Sequence, residues 1–196
     1  MHSTYNRLST ILSHASTALM VLLGLVAATS YLTLPSPPPG TVDIKTVQVY
    51  QERYRPNEVA WLRFDLDADL RPLWTWNTKQ VFAYLVVSYA DAPNGTLSSH
   101  APAAEDGLGG SEVRKAGNDI VAWDRIVRRQ KDARIRIEGG RNKYPLKAVG
   151  KKFFGAEPFS AKLMYNVQPW VGLLTYGQAG ETKAVVEWPR AQSAMQ

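Results

Sequence analysis

The chain of 196 residues contains no cysteine, which excludes disulfide staples, thiolate metal sites and a cysteine nucleophile together. Its core alone must hold the fold. Histidine is almost as scarce: of three, His2 and His14 lie in the N-terminal segment, leaving His100 in a stretch rich in Gly, Ala and Ser. A catalytic triad needs a histidine that reaches both nucleophile and orienting acid, held to within about half an ångström, and such a stretch is a poor platform for it. A Ser–Lys dyad requires a lysine desolvated beside its serine, and no serine here sits in a recognisable motif of that kind. GxGxxG, P-loop, HExxH and EF-hand spacings are also missing, so no catalytic, cofactor-binding or metal-ligating residue is assigned.

Charge is missing locally. No Lys, Arg, Asp or Glu occurs from Leu8 to Val42. Inside that window residues 12–34 read as one apolar helix of roughly 33 Å, enough to cross a hydrocarbon layer of about 30 Å. Its strongly apolar heart, Ala18 to Ala28, is shorter and also fits a cleavable signal peptide with Val26 and Ala28 before the cut. The uncharged run continues past that cut, and span length favours a retained anchor. Arg7 and the terminal amine precede the helix and no positive charge follows before Lys45, an asymmetry that places residues 1–11 in the cytosol and the remainder in the lumen. Leu34 to Gly40 holds four prolines, so residues 35–40 form an extended spacer and the folded domain is expected over 41–196.

In that domain the periodicity is mostly two. Alternating or β-rich runs fall at 42–52, 58–70, 79–90, 119–128, 133–138, 158–168 and 182–188, and seven strands without a long amphipathic helix predict an all-β fold, a β-sandwich. The span 91–117 has no hydrophobic period and is expected to be a mobile insert. Within it Asn94-Gly95-Thr96 is a glycosylation acceptor sequence, usable if the domain is lumenal.

What the chain does have is charge of one sign in one place. Eleven Lys/Arg stand against Asp132 and Glu138 between Arg125 and Lys152, a local +9 within a total of +6. The alternation Arg134-Ile135-Arg136-Ile137 reads as an exposed strand with one buried face, and a lumenal domain meets no nucleic acid; lipid headgroups or an acidic partner surface remain open. Three carboxylates, Asp65, Asp67 and Asp69, alternate with Phe64, Leu66, Ala68 and Leu70. A metal site would need further ligands converging from elsewhere; a strand with its apolar set inward makes them a solvated face. Like charges on one face call for a nearby cation, and Arg63, Arg71 and Lys79 are the candidates.

Four blocks, FDLDADL at Phe64–Leu70, WTWNTKQVFAYLVVSY at Trp74–Tyr89, NDIVAWDRIV at Asn118–Val127 and YNVQPWVGLL at Tyr165–Leu174, together resemble the signal peptidase complex subunit 3 family of the endoplasmic reticulum. The blocks occur in that family's order, after a single span. The chain departs from the family pattern in having Tyr165-Asn166-Val167-Gln168-Pro169 for Trp-Asn-Val-Val-Pro, and in a longer insert at 91–117. The resemblance implies a single-pass type II membrane protein with a lumenal β-sandwich, and a non-catalytic accessory role in removing signal peptides. Its implied partners are the catalytic subunit, the small membrane subunits, the bilayer and the translocon, with no cofactor. The other reading the residues leave is a secreted or membrane-anchored β-sandwich binding module. Trp76, Phe82, Tyr84, Trp123, Tyr165 and Trp170 are expected mainly in the core, because large aromatics dominate burial.

Overall fold

A computed structural model describes residues 3–52, 57–90 and 117–192. The first element, α1, runs Thr4–Leu32, eight residues earlier than the apolar pattern alone suggests. Ser3 caps it, its hydroxyl accepting from the Tyr5 N–H at 3.2 Å, which satisfies one of the donors a helix start leaves orphaned. Thr10, Thr17, Thr29 and Thr33 each donate to the carbonyl four residues back at 2.7–2.9 Å. Their hydroxyls are therefore satisfied within the helix, as an apolar surrounding requires. Pro35 stops further winding, and at 29 residues α1 is long and apolar enough to cross a membrane.

Among the described residues eight strands follow: β1 (Gly40–Gln51), β2 (Glu58–Asp69), β3 (Thr78–Tyr89), β4 (Asn118–Val127), β5 (Arg134–Arg141), β6 (Leu146–Lys147), β7 (Ser160–Pro169) and β8 (Thr175–Thr182). They join in the order β4-β3-β7-β8-β1-β2-β5, with β6 on β2. All neighbours are antiparallel except β1 and β8, which share a short parallel seam at Gly40–Gly180, Thr41–Glu181 and Val42–Thr182. At that seam the sheet turns over, so β4-β3-β7-β8 makes one layer of the predicted sandwich and β1-β2-β5 the other. The opposite side closes where the Lys143 and Tyr144 N–H groups donate to the Ala122 carbonyl of β4. Buried Asn142 holds this corner: its Oδ1 accepts from Leu62 N–H at 2.9 Å and its Nδ2 donates to the Tyr144 carbonyl at 2.7 Å.

The core follows strand parity. Even positions of β2 from Ala60 to Ala68 and odd positions of β3 from Val81 to Tyr89 are buried, as are Ala161, Leu163, Tyr165 and Val167 of β7. Phe64 meets Trp123 edge-on across the layers at 6.2 Å. In β1 the inward set changes parity, Val42 and Ile44 before, Val47 and Val49 after, because a bulge inserts Lys45; one extra residue flips every later side chain unless a bulge absorbs it. The pole farthest from α1 is closed by Tyr89, Phe153, Phe159 and Trp188, with Trp188 stacked on Phe153 at 4.1 Å.

Two sequence expectations require correction. The last strand is Thr175–Thr182, not 182–188: a polar, glycine-containing segment becomes a strand because β7 and β1 pair with it on both sides, whereas Val186 makes only an isolated bridge to Phe159. Of the six aromatics expected in the core, Trp123 and Tyr165 are buried, Phe82 and Tyr84 lie half-buried on the outward face of β3, and Trp76 and Trp170 are exposed.

At its Gly40–Gly180 end the parallel seam has no room for a side chain. A methyl group at Gly180 would come within 2.7 Å of the Gly40 carbonyl oxygen, closer than packed atoms allow. Gly180→Ala is expected to destabilise the fold by about 1–3 kcal/mol, read as a lower midpoint in denaturant titration of the full chain in detergent.

Candidate functional site

The three alternating carboxylates of β2 face outward as parity requires, and the basic strand is beside them. Asp67 pairs in register with Arg136 and Asp69 with Arg134 of β5. Asp69 binds Arg71, whose Nε donates at 2.8 Å, and this holds its carboxyl down to about 2. Asp65 accepts the Gly139 N–H at 2.6 Å where the β2–β5 register shifts, and that bond chiefly lowers its pKa; the bulge residue Lys45 approaches it at 3.4 Å. Asp67 lies 4.0 Å from Arg134. Of the candidate cations, Arg71 takes the role; Arg63 is exposed on β2, and Lys79 sits 5.2 Å over the Trp170 ring. No group of three His, Asp or Glu able to hold a metal occurs among the described residues.

Three further cations of the basic segment have partners within the domain. Arg136 pairs with Glu138 at 2.8 Å, Lys143 with Asp124 at 3.2 Å, and the Arg141 guanidinium lies 4.3 Å over Trp61. Such pairs are half-exposed and individually weak, and with eleven cations against two acids the segment keeps a basic excess.

Two surfaces stand out instead. The first is the outward face of β4-β3-β7-β8. Phe82 and Tyr84 stack at 5.3 Å; Phe82 pairs with Ile126, Tyr84 with Met164, and Val86 with Val121. Burial pushes the Tyr84 phenol up, with the neighbouring Tyr176 of β8 adding to it. Outward positions of a solvated sheet are ordinarily polar; here apolar and aromatic side chains, with Tyr176 two-thirds exposed, run between Asp124, opposite Tyr84, and Lys162, opposite Val86.

The second is the turn between β7 and β8, Trp170–Leu174, held by a buried asparagine. Asn77 Nδ2 donates to the Val171 carbonyl at 2.7 Å, Asn77 Oδ1 accepts the Val171 N–H at 3.2 Å, and the Trp170 N–H donates to the Asn77 carbonyl at 2.8 Å. Thr78 beside it donates to the Leu73 carbonyl at 3.0 Å and accepts the Thr75 N–H at 3.1 Å. The Trp-Asn-Thr-Lys run thus clamps one turn to another, 94 residues apart in sequence. Sequence reasoning missed this surface; the available signal was two tryptophans and a Val-Gly-Leu-Leu run next to turn residues, where a strand core would alternate.

Asn94 and His100 lie outside the described residues, as does the insert over 91–116. His14 is exposed on α1. Ser88 Oγ donates to Asp119 Oδ1 at 2.6 Å on the exposed surface of β3 and β4.

An apolar N-terminal helix followed by an all-β sandwich, with apolar and aromatic side chains on its outward face and on one turn, defines a helix-tethered β-sandwich protein. The profile of the signal peptidase subunit family matches residues 1–98 and 110–191, and the chain belongs to that family. It is 32% identical to signal peptidase complex subunit 3 of Yarrowia lipolytica, over 97% of this chain and 99% of that one. Identity to the subunit 3 proteins of Saccharomyces cerevisiae and Dictyostelium discoideum is 31% and 30%, over 91% and 93% of this chain and 92% and 93% of theirs. The family match is interrupted between residues 98 and 110, inside the insert.

The Asp69–Arg71 pair makes stability depend on acid. Its folded pKa of about 2 lies below the unfolded value of roughly 3.9, so its contribution is fully present above the unfolded pKa and is lost as pH falls through the folded one. Asp69→Asn is therefore expected to lower the melting temperature at pH 5–7 and to converge with the wild type only below about pH 2, as followed by circular dichroism of the full chain.

Proposed function

We propose that this protein is the accessory, non-catalytic subunit of a signal peptidase complex of the endoplasmic reticulum, and that its sandwich positions the catalytic subunit through the outward face of β4-β3-β7-β8. The observation that carries the reading is the patch of Phe82, Tyr84, Ile126, Met164 and Tyr176, supported by the family match over nearly the whole chain. Aromatic and methionine side chains are enriched in interface cores, where lysine and acids are depleted. The chemistry, of serine type, belongs to the partner. What this subunit supplies is orientation: a rigid domain on a membrane anchor fixes the partner's height and tilt, and misplacement of a nucleophile by an ångström can cost about 100-fold in rate.

The topology that goes with this role is type II. Residues 1–11 are cytosolic, 12–34 lie in the span, 35–40 form the linker and 41–196 the lumenal domain, with Asn94 glycosylated. The small membrane subunits of the complex and the translocon are its further neighbours. Arg7 before the span and the absence of positive charge until Lys45 support that orientation, and Asn94-Gly95-Thr96 provides a marker for it.

Replacing Tyr84 and Met164 together by lysine is expected to leave the sandwich folded, since both point outward, and to weaken capture of the catalytic subunit by at least about 2 kcal/mol, or roughly 30-fold. Undiminished co-purification with normal precursor cleavage would overturn the assignment of this face. Treating membranes with an N-glycosidase tests the topology: a mass shift that disappears in Asn94→Gln is expected, and an unshifted wild-type protein refutes the modified asparagine.

A further inference from the structure

We propose that the Trp170–Leu174 turn and Trp76 form a second membrane contact, entering the phospholipid interface beside α1. The inference rests on α1 crossing the bilayer, and it goes further in saying where the domain meets the lipid. Trp76, Trp170 and Leu173 are about 70% exposed (71%, 67% and 75%) and Leu174 is 52% exposed. Large apolar side chains bared this far on one rim of a domain mark an interaction site. Their position relative to the helix says which kind.

The depth follows from one close approach. Gly172, at φ +118°, lies against α1: a methyl group there would fall 3.2 Å from the Ala27 side chain. Glycine is needed here on both counts, for the left-handed backbone and for the missing side chain. Leu173 and Val171 also line a crevice with Ala27, Ser30, Tyr31 and Leu34. Arg7 is the last charge before the apolar run. A hydrocarbon layer takes about 20 residues at 1.5 Å each, so counted from residue 12, where the span begins, it reaches the far boundary near residue 31, about one helical turn beyond Ala27. Gly172 therefore sits just inside that boundary, and the side chains flanking it reach the layer where acyl chains give way to headgroups.

The residue types match the depth. Tryptophan prefers this boundary because its ring is apolar and its indole N–H is polar. Lys79, 5.2 Å over the Trp170 ring, has a long stem that keeps its ammonium toward the headgroups while its methylenes lie along the apolar rim. Asn77 fixes the turn by three hydrogen bonds to Trp170 and Val171, so the turn is presented as a shaped element. Two attachments, helix and turn, restrain the domain against swinging on its proline linker, a constraint that one helix alone does not impose.

The absence of cysteine makes the test direct. Single-cysteine variants of the full chain, Leu173→Cys, Leu19→Cys and Lys147→Cys, are labelled with an environment-sensitive fluorophore and reconstituted into phosphatidylcholine vesicles with and without doxyl-labelled lipid. Lys147 is at the opposite end of the sandwich, paired with Val59 at the start of β2. The label at 173 is expected to emit to the blue of the label at 147 and to be quenched best by doxyl groups near the headgroup, while 19 is quenched best by those deep in the acyl chain. Quenching at 19 with water-like, unquenched emission at 173 overturns the proposal while leaving the spanning helix intact. Failure at both positions removes the spanning helix instead. If 173 becomes shielded only when the other subunits are added to the vesicles, the turn docks protein and the lipid contact is refuted.

Discussion

The arrangement depends on the close approach of two glycines, Gly40 and Gly180, at the parallel seam between β1 and β8. Gly40 is where the proline linker becomes a strand, and a methyl group there would also fall within 2.8 Å of the Ala68 side chain. The chain leaving the membrane is therefore inserted edgewise between β2 and the end of β8, with no room for a side chain. The two layers are joined there, and the helix is tied to the middle of the sheet's edge-to-edge path. Since β1 and β8 run parallel, Thr175 lies about five strand residues, or roughly 17 Å, nearer the helix than the seam does. The linker runs back along this length, and the β7–β8 turn projects beyond it to reach Ala27.

From that constraint the faces acquire separate tasks. Parity sends Leu62, Phe64, Leu66, Val81, Leu85 and Leu163 inward, where burial provides the stability that no disulfide supplies. The outward face of β2 and β5 is neutralised within the domain, carboxylate against guanidinium and backbone N–H. The outward face of β3, β4, β7 and β8 presents the rings of Phe82, Tyr84 and Tyr176, with the Lys143–Asp124 and Lys162–Glu181 pairs beside them. The proposed positioning role would use this division: one face satisfied by itself, the other left for a partner.

Much of the architecture was legible in the sequence because the signals were local. The uncharged window, the prolines and the alternation of FDLDADL announce helix, linker and strand by composition and period alone, and six of seven expected strands fall where hydrophobic period two occurs. The seventh did not, since Thr175–Thr182 has little apolar period and owes its extended form to strands on both sides. The change of parity in β1 was visible in Val42, Ile44, Val47 and Val49, but its meaning, a bulge that aims Lys45 at Asp65, depends on the neighbouring strand.

By itself the sequence determined the class of protein: an apolar span, an all-β domain without cysteine or a usable histidine, and four blocks shared with an accessory subunit family. Tertiary structure decided which large side chains are core and which are surface. Trp123 within β4 and Trp170 just past the end of β7 are the same residue type next to apolar residues, yet one packs on Phe64 and the other is exposed. The reason is physical: period and propensity record a residue's place within its own strand, whereas burial depends on what the rest of the chain brings against it, here a second layer for Trp123 and the lipid-facing rim for Trp170.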